Sequence, residues 1–224
     1  MVAYLIKFKE MDVEQVRIPR HVGIIPDGNR RWSVNQGWEK NKGYAHGLNP
    51  GVSAVRMAKK YGIKELTFYG FTTDNCRRPA AQVKSFQDAC VKAVELTRID
   101  GDVEILVVGD ADSKFFPAEL RSYLQPVVIG ESKLRVNFLV NYSWKWDLKG
   151  IAGGHVAKDL QSKEISRMDM IIRWGGMRRL SGFLPVQSVY SDFYVVDDFW
   201  PDYQDEHFVD AIAWYQKQDV TLGG

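Results

Sequence analysis

The sequence predicts an α/β protein, a single-domain open sandwich with a mostly parallel central sheet covered by helices. Three observations carry that reading. Short β-branched runs alternate with longer amphipathic stretches nearly to the end of the chain. Runs such as Ile105-Leu106-Val107-Val108 are apolar on both faces, as strands are when helices cover both sides of a parallel sheet. The 224 residues are 45% hydrophobic and 26% charged, the balance of a globular core rather than of a disordered chain.

The first strand is expected over residues 22–26 and a helix over 50–61. A second strand follows over 65–71. Val83, Phe86, Cys90, Val94 and Thr97 then recur at three- and four-residue steps, which places them on one helical face. A third strand spans 103–108. Pro117 suits the first turn of a helix to residue 124, because its missing N–H would have no intrahelical partner there. A strand over 134–141, a helix over 146–161, and strands over 168–173 and 193–196 complete the sheet. The last helix runs over 204–217 with Asp202 as its N-cap. No repeat, linker or low-complexity tract interrupts the chain, so one domain is expected over 1–224, with 1–18 as a peripheral N-terminal segment.

Composition excludes several classes. Thirty basic residues against 28 acidic ones leave a net charge of +2, too small for a global nucleic-acid-binding field. Cys76 and Cys90 lie too far apart for a CxxC pair and are too few for a disulfide framework. Residues 2–6 are too short for the apolar core of a signal peptide, and no window approaches the roughly 20 apolar residues of a membrane span. A cytoplasmic protein follows, with at most peripheral membrane contact.

In open α/β sheets ligands bind beyond the carboxyl ends of the strands, and the polar residues of this chain gather there. The first strand runs into Pro26-Asp27-Gly28-Asn29-Arg30-Arg31-Trp32, a carboxylate that could hold a hard divalent cation beside guanidinium groups that neutralise an anion. Taken alone, the same residues suit a capped surface turn. The second strand ends in Phe71-Thr72-Thr73-Asp74-Asn75-Cys76-Arg77-Arg78, again polar and basic. After the fifth, Arg173-Trp174-Gly175-Gly176-Met177-Arg178-Arg179-Leu180-Ser181 sets a tight glycine turn among arginines. With Lys40 and Lys42, these segments hold nine of the thirty basic residues, so a near-neutral protein can still bind two diphosphates. P-loop, dinucleotide, zincin and hydrolase-elbow motifs are missing, and the four histidines lack ligand spacing.

The segments HVGIIPDGNRRW (21–32), LTFYGFTTDNCRRP (66–79), VNFLVNYSWKWD (136–147) and IIRWGGMRRLSGFLPVQSVYSDFYVVDDFWPDY (171–203) resemble, in order, the signature blocks of the cis-prenyltransferases, the undecaprenyl diphosphate synthase family. The resemblance implies an α/β enzyme that condenses isopentenyl diphosphate with an allylic prenyl diphosphate, using Mg²⁺ and a hydrophobic tunnel. It implies Asp27 as the essential aspartate at the allylic diphosphate and metal, with Gly28, Asn29, Arg30, Arg31 and Trp32 in the surrounding substrate loop. Asn75 takes the place of an asparagine tied to proton removal. An amide is a poor base, so an orienting role in a relay with Asn29, a hydroxyl or a diphosphate oxygen is expected. Thr72, Thr73 and Arg78 fall among the substrate contacts, as do Lys40 and Tyr44. Arg173, Arg179 and Ser181 match the isopentenyl diphosphate pocket, and Asp192 falls where the family carries a metal-linked glutamate.

Departures from the pattern shape further expectations. Lys40 replaces an arginine and loses its bidentate fork; Tyr44 and Arg178 replace histidines, and Cys76 replaces a tryptophan. The C-terminal stretch 218–224, QDVTLGG, lacks the arginine of the RxG segment that homodimeric members lend to a partner. A homodimer or a heterodimer with a related subunit, local replacement of that cation, or irregular prenyl coupling all fit. A non-catalytic partner subunit would instead keep RxG and lose the aspartate and arginine blocks. An unrelated phosphate-binding α/β protein would not carry all four blocks in order. A compact third-helix region and a short interval from Asp147 to Arg173 remove tunnel wall and outweigh the space expected at Gly70, which predicts a short or medium product; Phe86 and Phe138 could also obstruct the interior, although ordinary core packing suits each better.

Overall fold

The computed structural model describes residues 17–151 and 156–219. Its strands are β1 (His21–Ile25), β2 (Glu65–Tyr69), β3 (Val103–Val108), β4 (Val127–Ile129), β5 (Leu134–Leu139), β6 (Met170–Arg173) and β7 (Asp192–Val195). Its helices are α1 (Asn29–Asn35), α2 (Gly43–His46), α3 (Leu48–Lys60), α4 (Ala80–Asp100), α5 (Trp144–Asp147), α6 (Val156–Asp159) and α7 (Asp205–Tyr215). The strands form one sheet in the order β4-β3-β5-β2-β1-β6-β7, parallel throughout except for the antiparallel β3–β4 pair.

Successive strands from β1 step out to one side of the sheet and return to its other side at β6. The order therefore reverses around β1, and the loops after β1 and β6 diverge to leave a crevice. Alternation along the strands supplies two cores. Val22, Ile24, Leu66 and Phe68 face α3, α4 and α7, where Ala54, Val94 and Phe208 are buried against them. Ile25, Leu106, Leu139 and Ile171 point the opposite way, onto Tyr142, Met168 and Phe183. Coverage is thus unequal: long helices on the first face, mostly irregular chain and short turns on the second. Gly23 permits this second packing, since a Cβ there would stand 2.5 Å from the Phe183 ring.

Three expected helices differ. Residues 118–123 form a 3₁₀ turn with extended Pro117 before it, and 204–217 begins at Asp205 with Gln204 as its N-cap. Asp202 lies instead in a 3₁₀ turn and accepts a 2.7 Å bond from Trp32 Nε1. The expected helix over 146–161 is broken. Asp147, 1% exposed, accepts from Tyr142 Oη (2.7 Å), Ser162 N (2.8 Å) and Ser162 Oγ (2.7 Å), which folds the chain back after α5.

Candidate active site

Asp27 follows β1 directly and is fixed from three sides. Its Oδ1 accepts from Gly28 N at 2.6 Å, its Oδ2 accepts from Arg173 Nη2 at 2.8 Å, and Arg31 Nη2 lies 3.5 Å away. Gly28 has φ +103°, and a Cβ there would meet Phe199 at 2.6 Å, so the turn that presents Asp27 requires glycine. Arg31 in turn donates to Gly175 O at 2.9 Å, tying the β1 loop to the β6 loop across the crevice.

Arg173 ends β6 with its side chain 4% exposed. Besides Asp27 it donates to Ser181 Oγ at 3.0 Å and to Arg179 O, so one guanidinium joins the carboxylate to the turn carrying Arg179 and Ser181. Its Nε is buried without a partner, as is Nε of Arg30. Buried N–H donors left unpaired cost about 1–3 kcal/mol each.

The second strand contributes through the 3₁₀ turn Thr73–Arg77. Asn75 Oδ1 accepts from Thr72 N at 3.0 Å, which leaves its Nδ2 as the available donor. Arg78 donates to Tyr44 Oη at 2.7 Å, and the Tyr44 ring stacks on Phe86 at 4.5 Å. Burial pushes the Tyr44 phenol up, partly opposed by Arg78, so the phenol stays protonated.

These groups line a cavity of about 780 Å³. Of the sequence-derived candidates, it brings together Asp27, Gly28, Asn29, Arg30, Arg31, Lys40, Tyr44, Thr72, Asn75, Arg78, Arg173, Arg179 and Ser181. Its described walls carry six cations, Arg30, Arg31, Lys40, Arg78, Arg173 and Arg179, against the carboxylates Asp27 and Asp74. Such an excess in a concave site favours polyanions. A second, apolar pocket of about 80 Å³ shares Pro26, Asn29, Tyr44, Gly70 and Phe86 with the first and is also lined by Phe68, Phe138 and Trp200.

Three candidates lie outside the cavity lining. Trp32 packs on Trp38 and His46, and Thr73 N bonds to Tyr142 O. Asp192 opens β7 opposite Met170, whereas Arg173 pairs with Val195 three residues on, roughly 10 Å farther along the sheet. Asp192 therefore sits toward the far end of the strands from the Asp27 loop, where it meets Arg17 at 3.4 Å. Gly70 is also not open space. A Cβ there would lie 2.7 Å from Leu139 O, so that glycine serves close approach of backbones. Sequence reading missed Tyr69, Asp74 and Phe199, all in the cavity wall. Most of the C-terminal stretch 218–224 and of the segment 1–18 lies outside the described residues.

A crevice at a strand-order reversal, cation-rich on one side and apolar on the other, is suited to an amphiphilic ligand with an anionic head and an apolar tail. The prenyltransferase family model for undecaprenyl diphosphate synthase matches residues 25–223, and the chain belongs to this cis-prenyltransferase family. It is a prenyltransferase. It is 29% identical to the ditrans,polycis-undecaprenyl-diphosphate synthase ((2E,6E)-farnesyl-diphosphate specific) of Pasteurella multocida, over 96% of this chain and 98% of that protein. It is 31% identical to an isoprenyl transferase of Streptococcus thermophilus, over 98% and 100% of the two chains. In fold it matches the crystal structure of lavandulyl diphosphate synthase from Lavandula x intermedia in complex with dimethylallyl diphosphate, with a TM-score of 0.81, 21% identity, and 92% and 98% of the two chains covered.

The donor set also suits Mg²⁺ of a particular kind. Among the described residues no group of three or more His, Cys, Asp or Glu side chains is placed to hold a metal. A sparse set of carboxylates beside an anion pocket suits a Mg²⁺ that keeps waters and takes its remaining ligands from substrate phosphates, and of the two carboxylates in the lining Asp27, set beside Arg31 and Arg173, would fit that role.

Proposed function

We propose that this enzyme condenses isopentenyl diphosphate with an allylic prenyl diphosphate, with Mg²⁺ held by Asp27, to give a short or medium-length prenyl diphosphate. The observation that carries the reading is the direct junction of the six-cation cavity with the apolar pocket. Bound Mg²⁺ would neutralise charge on the departing diphosphate.

The protein's own groups supply the rest. Arg30, Arg31 and Arg78 surround the allylic diphosphate, and Arg173, Arg179 and Ser181 bind the isopentenyl diphosphate. As the allylic C–O bond breaks, the guanidinium groups stabilise the charge that develops on the leaving oxygens. The isopentenyl double bond attacks the allylic carbon, and one proton leaves the adjacent carbon to a diphosphate oxygen. Asn75, its Oδ1 already engaged by Thr72 N, orients a phosphate oxygen through Nδ2 and does not itself take the proton.

A second reading, that a related but different subunit completes the site, is favoured by one observation: stretch 218–224 contains no arginine or lysine, and a second copy of this chain would bring none. The test is incubation with radiolabelled isopentenyl diphosphate, Mg²⁺ and dimethylallyl, geranyl or farnesyl diphosphate. Chain elongation by the isolated protein supports independent catalysis, and elongation only after adding a related subunit supports the second reading. Asp27→Ala is expected to lower turnover by roughly 10³-fold or more, several kcal/mol of transition-state stabilisation, while the protein stays folded with a lowered thermal transition, because buried Arg173 loses its carboxylate partner. A folded variant that keeps substantial Mg²⁺-dependent turnover overturns the assignment.

A further inference from the structure

We infer that Tyr69 is a positioning residue for the isopentenyl diphosphate, acting through the backbone of Ser181; this rests on the assignment of the Arg179–Ser181 turn to that substrate. Tyr69 ends β2 and lines the cavity, and its Oη donates to Ser181 O at 2.8 Å. Register explains how a β2 residue reaches the β6 loop. Ile24 is level with Phe68 on one side and Ile172 on the other, so the next row holds Tyr69, Ile25 and Arg173. Residues level across a sheet share a face, and Tyr69 and Arg173 both reach Ser181 from either side of β1.

Ser181 needs both supports. It is a non-glycine residue at φ +54°, in the left-handed region that an L side chain leaves when nothing holds it. Arg173 secures its hydroxyl and Tyr69 its carbonyl. The Tyr69 ring is itself fixed against Phe183 at 5.0 Å and Tyr142 at 6.2 Å, so the phenol is a rigid strut. Without it, the turn relaxes toward negative φ and carries the Ser181 hydroxyl and the Arg179 guanidinium away from the bound phosphate. The phenol is spent on the Ser181 carbonyl and acts on the substrate only through that residue. Burial holds it well above the ordinary phenol range, so it remains a donor at every working pH.

The test measures steady-state kinetics for both substrates in the full chain with Tyr69→Phe, Arg179→Ala, Ser181→Ala and the double variant Tyr69→Phe/Ser181→Ala. Tyr69→Phe is expected to raise KM for isopentenyl diphosphate roughly threefold to tenfold, the worth of one hydrogen bond, with the allylic KM within about twofold. The double variant is expected to lose less than the product of the two single effects, because both act on one residue. If Arg179→Ala raises the isopentenyl KM and Tyr69→Phe does not, the inference is wrong and the substrate assignment stands. If neither variant moves it, the assignment of the turn falls and the inference with it. A parallel rise of both KM values with a lowered Tm also overturns the positioning role, since that is a general loss of fold.

Discussion

Arg173 and Arg179 look alike in sequence, two arginines of one motif, yet the structure gives them different work. Arg179 is exposed and offers its charge to a ligand, so Arg179→Ala is expected to cost about 1.5 kcal/mol, near tenfold, in KM for isopentenyl diphosphate alone. Arg173 is buried and bonds Asp27, Ser181 Oγ and Arg179 O together. Removing it loosens both substrate sites, so Arg173→Ala is expected to lower kcat/KM for both substrates by about 3 kcal/mol or more, above 100-fold. Equal, single-substrate effects in the two variants would show that the network does not couple the sites. Asp27, Arg173 and the glycine turn were legible because each stands at or just past the end of a strand, where sequence adjacency is spatial adjacency. The position of Asp192 was not, since register rather than sequence sets a residue's height along a strand. Tyr69 was missed because one aromatic ending an apolar strand has no feature that separates it from core.

At the scale of elements, the six β-branched runs gave the central strands, whereas elements held by tertiary contact escaped notice. β4 is three half-exposed residues paired antiparallel to β3, and α1 buries only Ser33 and carries no capping side chain or acidic first turn. Neither has a pattern strong enough to read. The strands also hide a buried polar layer at their amino ends. His21 Nδ1 lies 3.0 Å from Ser166 O and so carries the proton, which leaves Nε2 to accept from Thr67 Oγ1 at 2.8 Å. Burial pushes the imidazole below its ordinary value against the opposing pull of Glu65, 3.8 Å away. The unfolded chain therefore takes the proton first as pH falls. Stability from this layer is complete above about pH 6.5 and declines below it, because protonation favours the unfolded state. Urea unfolding at pH 7.5 and 5.5 is expected to show lower stability at the acid pH, with a smaller difference in His21→Gln. An unchanged difference in that variant would assign the pH dependence to other groups.

Across the whole molecule, the order of strands puts the charged loops of β1, β2 and β6 on one crevice and places the apolar pocket on the α3–α4 side of the sheet. That division was legible only in outline, because a cavity is the space between elements and no residue pattern encodes its depth. The structure sharpens the reason for expecting a short product. The apolar pocket has about a tenth of the volume of the polar cavity, about 80 Å³ against 780 Å³. Phe86 stands at the junction stacked on Tyr44, and Phe68 stacked on Phe138 at 5.4 Å closes the floor beside Trp200. The shortened interval after Asp147 bears on the other face of the sheet, where Asp147 and Ser162 fasten it, and so does not set this depth. Phe86 is the ring whose loss is least damaging, since it is only partly buried; truncation costs at most about 3 kcal/mol of stability, the low end for a phenylalanine. Phe86→Ala is therefore expected to shift products from dimethylallyl, geranyl and farnesyl primers upward by one or more five-carbon units, and the wild type to stop well short of eleven units. Mass spectrometry of both product sets with excess isopentenyl diphosphate decides the matter: a dominant C55 species from the wild type would mean that the aromatic floor opens in use and that pocket depth at rest does not limit the chain.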